Sequence, residues 1–142
     1  MYFDTGNIMA HSNNQIGTSI KEARRRHMSG DIRFAREAYR AILDNKPKHS
    51  EALYLLGICE HQTGNHADAL DLLQQAADLD PNNPKIDNNL GSVYLAMGFN
   101  QLAHDHFQRA AEALPDDGEI ALNLGLTLHA IGKDDMASAE FT

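Results

Sequence analysis

Histidine is the residue type that most suggests chemistry in this sequence. It occurs eight times, and the interval from His61 to His129 is twice the interval from His27 to His61. A bound metal needs donors about 2 Å from one ion, and no cysteine or carboxylate completes such a set near these histidines. Imidazole also titrates near neutral pH. The pattern therefore predicts a polar or pH-sensitive lining rather than a metal centre, and His104 and His106 are expected at the surface.

Asparagine forms a second pattern. Asn89 and Asn123 are separated by the same interval as His27 and His61, and each stands directly before a Leu-Gly pair. Asparagine is less favourable than alanine or leucine inside a helix, so two at one spacing indicate a role. The amide both donates and accepts, so it can pair with a peptide backbone of any sequence. Two interpretations stay open: contact with a bound peptide, and a solvated surface.

A basic group forms the third pattern. Lys21, Arg24 and His27 are spaced i, i+3, i+6, which places them on one helix face, and Lys85 adds a later cation. An acidic segment could dock there through charge-assisted hydrogen bonds. The alternative, which the sequence favours, is a solvated helix at the end of the domain.

Catalytic patterns are not found. No Ser-His-Asp arrangement, glycine-rich phosphate loop or catalytic pair of carboxylates stands out in the sequence. Cys59 is the single cysteine, so no disulfide can form within the chain. It lies at a repeat position that holds small residues, on the side of the helix that is expected to be buried. This predicts a packed, unreactive thiol. We expect that the protein is not an enzyme and that it binds neither a cofactor nor a metal.

Length and charge narrow the class further. The chain has 142 residues, enough for one domain with a buried core, and its 12 Lys and Arg against 20 Asp and Glu leave a net charge of −8. An acidic balance argues against nucleic-acid binding. No apolar run is long enough to span a bilayer, and residues 1–15 lack the basic flank and apolar core of a secretory signal. We expect a cytoplasmic protein.

The elements that position these residues repeat at one constant interval. Four columns share the period: Gly30, Gly64, Gly98 and Gly132; Pro47, Pro81 and Pro115; Ala35, Ala69, Ala103 and Ala137; Gly57, Gly91 and Gly125. They divide the chain into a tail, 1–15, and a repeat domain, 16–142. The units are 16–49, 50–83, 84–117 and 118–142, the last of which stops before its second helix is complete.

Each unit is predicted to consist of two helices joined by a turn. The turn is expected at the glycine of the first column, which is Gly30, Gly64, Gly98 or Gly132. Ser50 is expected to cap the first helix of the second unit, and Gly64 is free to take a positive φ in the turn. The acidic pairs 116–117 and 134–135 are expected to precede helices as N-caps. The second glycine column and the alanine column fall where the two helices of a hairpin cross, because close helix packing needs a small side chain.

This pattern resembles the tetratricopeptide repeat family over residues 16–142. The matching residues of the third unit are Leu90, Gly91, Tyr94, Gly98, Ala103, Phe107, Ala110 and Pro115. The resemblance implies an all-α, right-handed solenoid of helix-turn-helix repeats. The sequence departs from the family at Glu22, Ala23 and Arg26 in the first unit. The family also has an aromatic residue at one position of each unit. This sequence instead has Ser19, Leu53, Asp87 and Ala121 at that position.

In that family the first helices of the units line a concave groove that suits a peptide or a partner helix. The paired asparagines look like the asparagine ladder in the arm of O-linked N-acetylglucosamine transferases and their bacterial relatives, with Lys21 and Leu55 on the other two rungs. The residues assigned to peptide binding are Lys21, Arg24, His27, Tyr54, Ile58, His61, Lys85, Asn88, Asn89, Ser92, Leu122, Asn123 and Leu126.

The expected function is a non-catalytic scaffold that binds a protein or peptide partner. The alternative is the substrate-recruiting arm of a larger glycosyltransferase- or sulfotransferase-type enzyme, and a third class is a module that only self-associates. The last unit leaves an apolar face near Leu128, Ala137 and Phe141 without a capping helix. Either the chain is part of a longer protein, which we favour, or two copies pair there as a symmetric dimer.

Overall fold

The fold consists of seven helices over the residues that the structure describes. The computed structural model describes residues 20–140, with side chains up to residue 137. The predicted tail, Phe141 and Thr142 lie outside that range. No strand occurs between residues 20 and 140, so the all-α prediction is confirmed. The helices are α1 (20–28), α2 (Ile32–Asn45), α3 (Ser50–Gln62), α4 (His66–Leu79), α5 (Pro84–Ala96), α6 (Asn100–Ala113) and α7 (Gly118–Glu140).

The first six helices form three hairpins whose turns depend on glycine. Gly30, Gly64 and Gly98 have φ of 95°, 86° and 84°, a left-handed backbone that glycine adopts without steric cost. The predicted turns at these three positions are therefore confirmed. Asp117 caps α7 as predicted, since its Oδ1 accepts from the amide of Ile120 at 3.1 Å. The prediction for Ser50 is wrong by one position, because the cap of α3 is His49.

Two glycines allow the helices of a hairpin to touch. A Cβ placed on Gly57 would lie 2.8 Å from Leu73 Cγ, and one on Gly91 would lie 2.7 Å from the ring of Phe107. Both large side chains are fully buried. The predicted helix crossings of the second and third units are therefore confirmed at these positions.

The hairpins stack through a continuous apolar interior. One buried cluster joins Ala23 of α1, Tyr39 of α2 and Leu56 of α3. The next joins Leu73 of α4 to Leu90 of α5 and their neighbours. Each second helix therefore packs against its own first helix and against the first helix of the next unit. Between residues 20 and 140, no helix is both long and apolar enough to cross a bilayer.

The fourth unit differs from the prediction. α7 is one helix that runs from Gly118 through Gly132 to Glu140, so the expected turn at Gly132 is wrong, as is the helix start at residues 134–135. α2, α4 and α6 are each held from the far side by the next first helix, whereas within residues 20–140 no further helix packs on the end of α7. A continuous helix keeps the backbone hydrogen bonds that a turn at Gly132 would interrupt.

Candidate functional site

Polar contacts join the first helices of successive units, which places most of the predicted binding residues along one face. Arg24 Nη1 of α1 donates to Glu51 Oε1 of α3 at 2.7 Å. Asn89 of α5 reaches Tyr54 of α3, with Nδ2 donating to the hydroxyl oxygen at 3.1 Å. Asn123 of α7 reaches α5 in the same way. The face made by α1, α3, α5 and α7 is called the groove face below.

A cleft opens on the groove face between α3 and α5. Its volume is about 290 Å³. Tyr54 and Leu55 contribute apolar surface, and the ion pair of Arg24 and Glu51 borders one side. Lys85 is exposed at its rim. The cleft lining comprises Arg24, Ser50, Glu51, Tyr54, Leu55, Asp80, Asn83, Lys85 and Ile86. It mixes apolar surface with both signs of charge, which suits a polypeptide better than a purely acidic ligand.

Asn89 uses its amide nitrogen inside the fold. Nδ2 donates to the hydroxyl of Tyr54 and to the carbonyl oxygen of Lys85 at 2.8 Å. Burial raises the pKa of Tyr54, and the bond from Asn89 opposes part of that effect. Within residues 20–137, no hydrogen bond engages Asn89 Oδ1. The side chain is therefore held in place with its acceptor oxygen available.

Asn123 repeats this arrangement one unit later. Its Nδ2 donates to Oδ1 of Asn88 at 3.0 Å, and Asn88 Nδ2 donates to Glu119 Oε1 at 3.2 Å. Asn88 is only 8% exposed, so it holds Asn123 in place rather than presenting its own amide to a ligand. Ser92 donates to the backbone carbonyl of Asn88 at 3.0 Å. Among the described side chains, Asn123 Oδ1 accepts no hydrogen bond, like that of Asn89.

The three histidines at the shared repeat position have different surroundings. His27 lies between its own hairpin and the next first helix, with Nδ1 3.2 Å from the hydroxyl of Tyr39 on α2 and Nε2 2.7 Å from Gln62 Oε1 on α3. His61 Nδ1 lies 3.2 Å from His66 Nδ1, and burial, then the charge of His66, lowers the pKa of His61. His129 is exposed on α7. Among the described side chains, no three His, Cys, Asp or Glu residues are grouped so that they could hold a metal.

The basic group is not assembled as one cluster. Arg24 is paired with Glu51, and His27 points toward Tyr39 and Gln62. Lys21 stays exposed. The three residues therefore do not present a joint site for an acidic segment.

The apolar residues assigned to the groove face divide into two kinds. Tyr54 and Ile58 are half-buried on α3, and of the two only Tyr54 lines the cleft. Leu122 and Leu126 on α7 are 62% and 51% exposed. The apolar surface available to a partner is therefore largest on α7.

Sequence reasoning missed an ion pair that holds α5 to α6. His106 is expected at the surface but is half-buried, with Nδ1 2.9 Å from Asp87 Oδ1 and its ring stacked on Tyr94 at 5.4 Å. Arg109 Nη2 lies 3.1 Å from the same carboxylate oxygen. Asp87 occupies the slot where the resembled family has an aromatic residue. In the sequence, the absence of that aromatic residue was the only signal that a different contact joins α5 to α6.

A buried carboxylate was also missed. Glu60 is 1% exposed and accepts from Arg36 Nε at 2.6 Å and from Asn65 Nδ2 at 2.8 Å. Its partners lie on other elements, at a spacing with no sequence signature. Cys59 beside it behaves as predicted, since its thiol is buried and burial raises its pKa to about 12.

Comparison with known proteins agrees with this architecture. The sequence profile of the tetratricopeptide repeat family matches residues 21–84 and 88–141. No curated protein sequence matches the chain. Helical hairpins stacked through small residues, with a face formed by their first helices, define a repeat solenoid. The chain belongs to the tetratricopeptide repeat family, and its fold is the right-handed, all-α solenoid of that family.

Solved structures are similar over most of this chain. The O-GlcNAc transferase of Thermobaculum terrenum has a TM-score of 0.79 at 32% identity and covers 82% of this chain, which spans 22% of that enzyme. The Sgt2 domain of Aspergillus fumigatus has a TM-score of 0.78 at 18% identity, covering 86% of this chain and 82% of its own. The first such domain of Spaghetti (RPAP3), bound to the HSP90 peptide SRMEEVD, has a TM-score of 0.77 at 16% identity. That match covers 84% of this chain and 94% of the domain.

Proposed function

We propose that this chain is a non-catalytic scaffold that binds an extended segment of a partner protein along its groove face. The observation that carries the proposal is the matched presentation of two amides. Asn89 and Asn123 are each fixed through Nδ2 by a neighbouring helix, at one repeat position, and each keeps Oδ1 available. A fixed acceptor loses little conformational entropy when it takes a hydrogen bond from a peptide N–H.

The surroundings of the two amides support a polypeptide ligand. The cleft of about 290 Å³ beside Tyr54 can take one side chain of such a ligand. Leu122 and Leu126, both more than half exposed, supply apolar contact on α7. Repeat domains of the same fold include one solved with an HSP90 peptide bound. Backbone contacts from asparagine together with apolar contacts from α7 would give affinity for an extended chain.

The proposal can be tested without knowing the partner. Random-sequence peptides displayed on phage would be selected against the whole chain, and the affinity of a selected synthetic peptide would then be measured by calorimetry. Replacing Asn89 and Asn123 together with alanine should weaken binding about thirtyfold, since each of the two lost hydrogen bonds contributes about 1 kcal/mol. Asn82→Ala, an exposed loop asparagine, is the matched control and should bind as the parent does.

A second pair of variants covers the chance that the asparagine variant unfolds. Leu122→Ala and Leu126→Ala remove exposed side chains and should leave the melting temperature unchanged while weakening the same peptide. If no peptide is selected, or if a folded asparagine variant binds with unchanged affinity, the proposed binding site is wrong.

A second candidate is the substrate-recruiting arm of a larger glycosyltransferase- or sulfotransferase-type enzyme. It is favoured by the 32% identity to the transferase of Thermobaculum terrenum, of which this chain spans about a fifth. Sequencing the source gene past the codon for Thr142 separates the two. A reading frame that enters a transferase domain would make the groove face a substrate site. A stop codon at that point would exclude the recruiting arm.

A further inference from the structure

Two histidines meet at the turn of the second hairpin. His61 lies in the last turn of α3, and His66 is the first residue of α4. Their Nδ1 atoms are 3.2 Å apart, and their ring centroids are 5.2 Å apart. Within residues 20–137, no other hydrogen bond engages the Nδ1 of either ring. The fold therefore brings together two ring nitrogens that have only each other as partners.

The turn holds the two rings at this separation. Gly64 takes a φ of 86°, and the backbone amide of Asn65 donates to the carbonyl oxygen of Glu60 at 2.7 Å. Asn65 Nδ2 also donates to the buried carboxylate of Glu60 at 2.8 Å, which ties the start of α4 to the end of α3. Both histidines are half-buried. Two ligands held on such a turn lose less conformational entropy on binding an ion than two ligands on mobile segments would.

The separation of the two nitrogens suits two ligands of one metal ion. Zinc binds imidazole nitrogen at about 2.0–2.1 Å with tetrahedral geometry, which places two such nitrogens about 3.3 Å apart. Imidazole is a good ligand for zinc, copper and nickel. Among the described side chains, no third His, Cys, Asp or Glu joins the pair. The two rings would therefore supply two ligands, and water or a donor from a partner would supply the others.

The protonation of the two rings is compatible with metal binding. When both rings are neutral, one Nδ1 donates a proton to this contact and the other accepts it. Burial, followed by the charge of His66, lowers the pKa of His61, which keeps this ring in the neutral form that binds a metal. When an ion binds, the donating ring transfers its proton from Nδ1 to Nε2 through water. Both Nδ1 lone pairs then become ligands, with no net release of a proton.

We propose that His61 and His66 form an open, two-histidine site for a divalent transition-metal ion such as zinc, with Nδ1 of each ring as the ligand. The inference goes beyond the proposed function and does not rest on it. The other units do not repeat the pair, because the residues that correspond to His66 are Ile32, Asn100 and Asp134. The repeated histidine position gave no signal for this site, since the second ligand lies outside that position.

Calorimetric titration of the whole chain with Zn²⁺ alone tests the site. The parent should bind Zn²⁺, and His61→Gln and His66→Gln should each weaken that binding at least about tenfold, because losing even a group that only orients a ligand costs about 10- to 100-fold. His129→Gln removes an exposed histidine on α7 and is the matched control, which should bind as the parent does. Melting temperatures without metal show whether each variant is folded. Unchanged affinity in either folded variant of the pair would overturn the site, as would no binding by the parent at about 1 mM Zn²⁺.

Nitrogen NMR of the imidazole rings in the parent needs no substitution, so it decides the question even if a variant unfolds. Saturating Zn²⁺ should leave both His61 and His66 protonated at Nε2 and should shift both Nδ1 resonances. A ring that stays protonated at Nδ1 under these conditions would overturn the proposal. Both measurements use Zn²⁺ without a peptide, whereas the proposed function is tested with a peptide and without metal. Failure of one proposal is therefore distinguishable from failure of the other.

Discussion

The third and fourth units carry the same repeat pattern, yet one closes as a hairpin and the other stays a single helix. Gly98 has a φ of 84° and turns the chain, whereas Gly132, its counterpart in the next unit, lies inside α7. Gly91 accommodates the ring of Phe107, whereas Gly125 faces open space. The difference teaches that a turn residue permits a hairpin but does not form it. In the third unit the packing of Phe107 on Gly91 accompanies the turn, and among the described side chains no such contact forms over Gly125.

The largest expected effect in this comparison comes from filling the two crossing positions. Gly91→Ala places a methyl group 2.7 Å from the buried ring of Phe107, so we expect it to lower the free energy of unfolding by about 1–3 kcal/mol. Gly125→Ala adds a methyl group to open space inside a helix and should raise that free energy by about 0.5–1 kcal/mol. Urea unfolding of the parent and the two variants at one protein concentration measures both. Equal destabilisation would mean that α7 also carries a packed second helix.

A smaller effect is expected at the turn positions. Alanine in the left-handed region costs about 1 kcal/mol, so Gly98→Ala and Gly64→Ala should lower the melting temperature. Gly132→Ala replaces a glycine inside a continuous helix and should raise it, by a gain of about 0.5–1 kcal/mol. Calorimetry on the three variants measures these shifts. A loss of stability in Gly132→Ala comparable to the other two would place a turn at residue 132.

The smallest expected effect is a pH dependence at the shared histidine position. His61 packs beside His66, and its pKa is lowered from 6.5, so the folded state disfavours its charged form. The stability that depends on neutral His61 is complete above the unfolded-state pKa and is lost as the pH falls below it. We expect His61→Gln to lose less stability than the parent between about pH 7 and pH 5. His129→Gln, which changes the exposed counterpart on α7, is the matched control for the loss of an imidazole. Identical pH profiles for all three proteins would contradict this role for His61.

Much of the fold could be predicted because it is encoded locally. Gly30, Gly64 and Gly98 mark turns since only glycine takes a positive φ freely. Gly57 and Gly91 mark crossings since only a missing side chain lets helices approach so closely. Their constant spacing predicted the hairpins and the family. The same reasoning failed at Gly132. The glycine spacing shows where a turn is sterically allowed, but it does not show whether tertiary contacts stabilise that turn.

The candidate site was predictable in its outline but not in its contacts. The repeat register predicted that Asn89 and Asn123 share a face. It could not show that Asn89 Nδ2 donates to Tyr54 or that Asn123 Nδ2 donates to Asn88. Those partners lie on other helices, a full unit away in the chain. Charge spacing placed Arg24 on an exposed helix face, but it could not show that Glu51 of α3 pairs with it. Pairings of this kind depend on how the units stack.

The sequence by itself determined the family, the hairpins of the first three units and the face on which Asn89 and Asn123 lie. Each follows from local steric rules repeated at a constant period. Only the tertiary structure decided that α7 stays continuous, that Asp87 and His106 replace a missing aromatic contact, and that Glu60 is buried beside Arg36. The physical reason is that these features are chosen by packing between units, where a residue's neighbours come from distant parts of the chain.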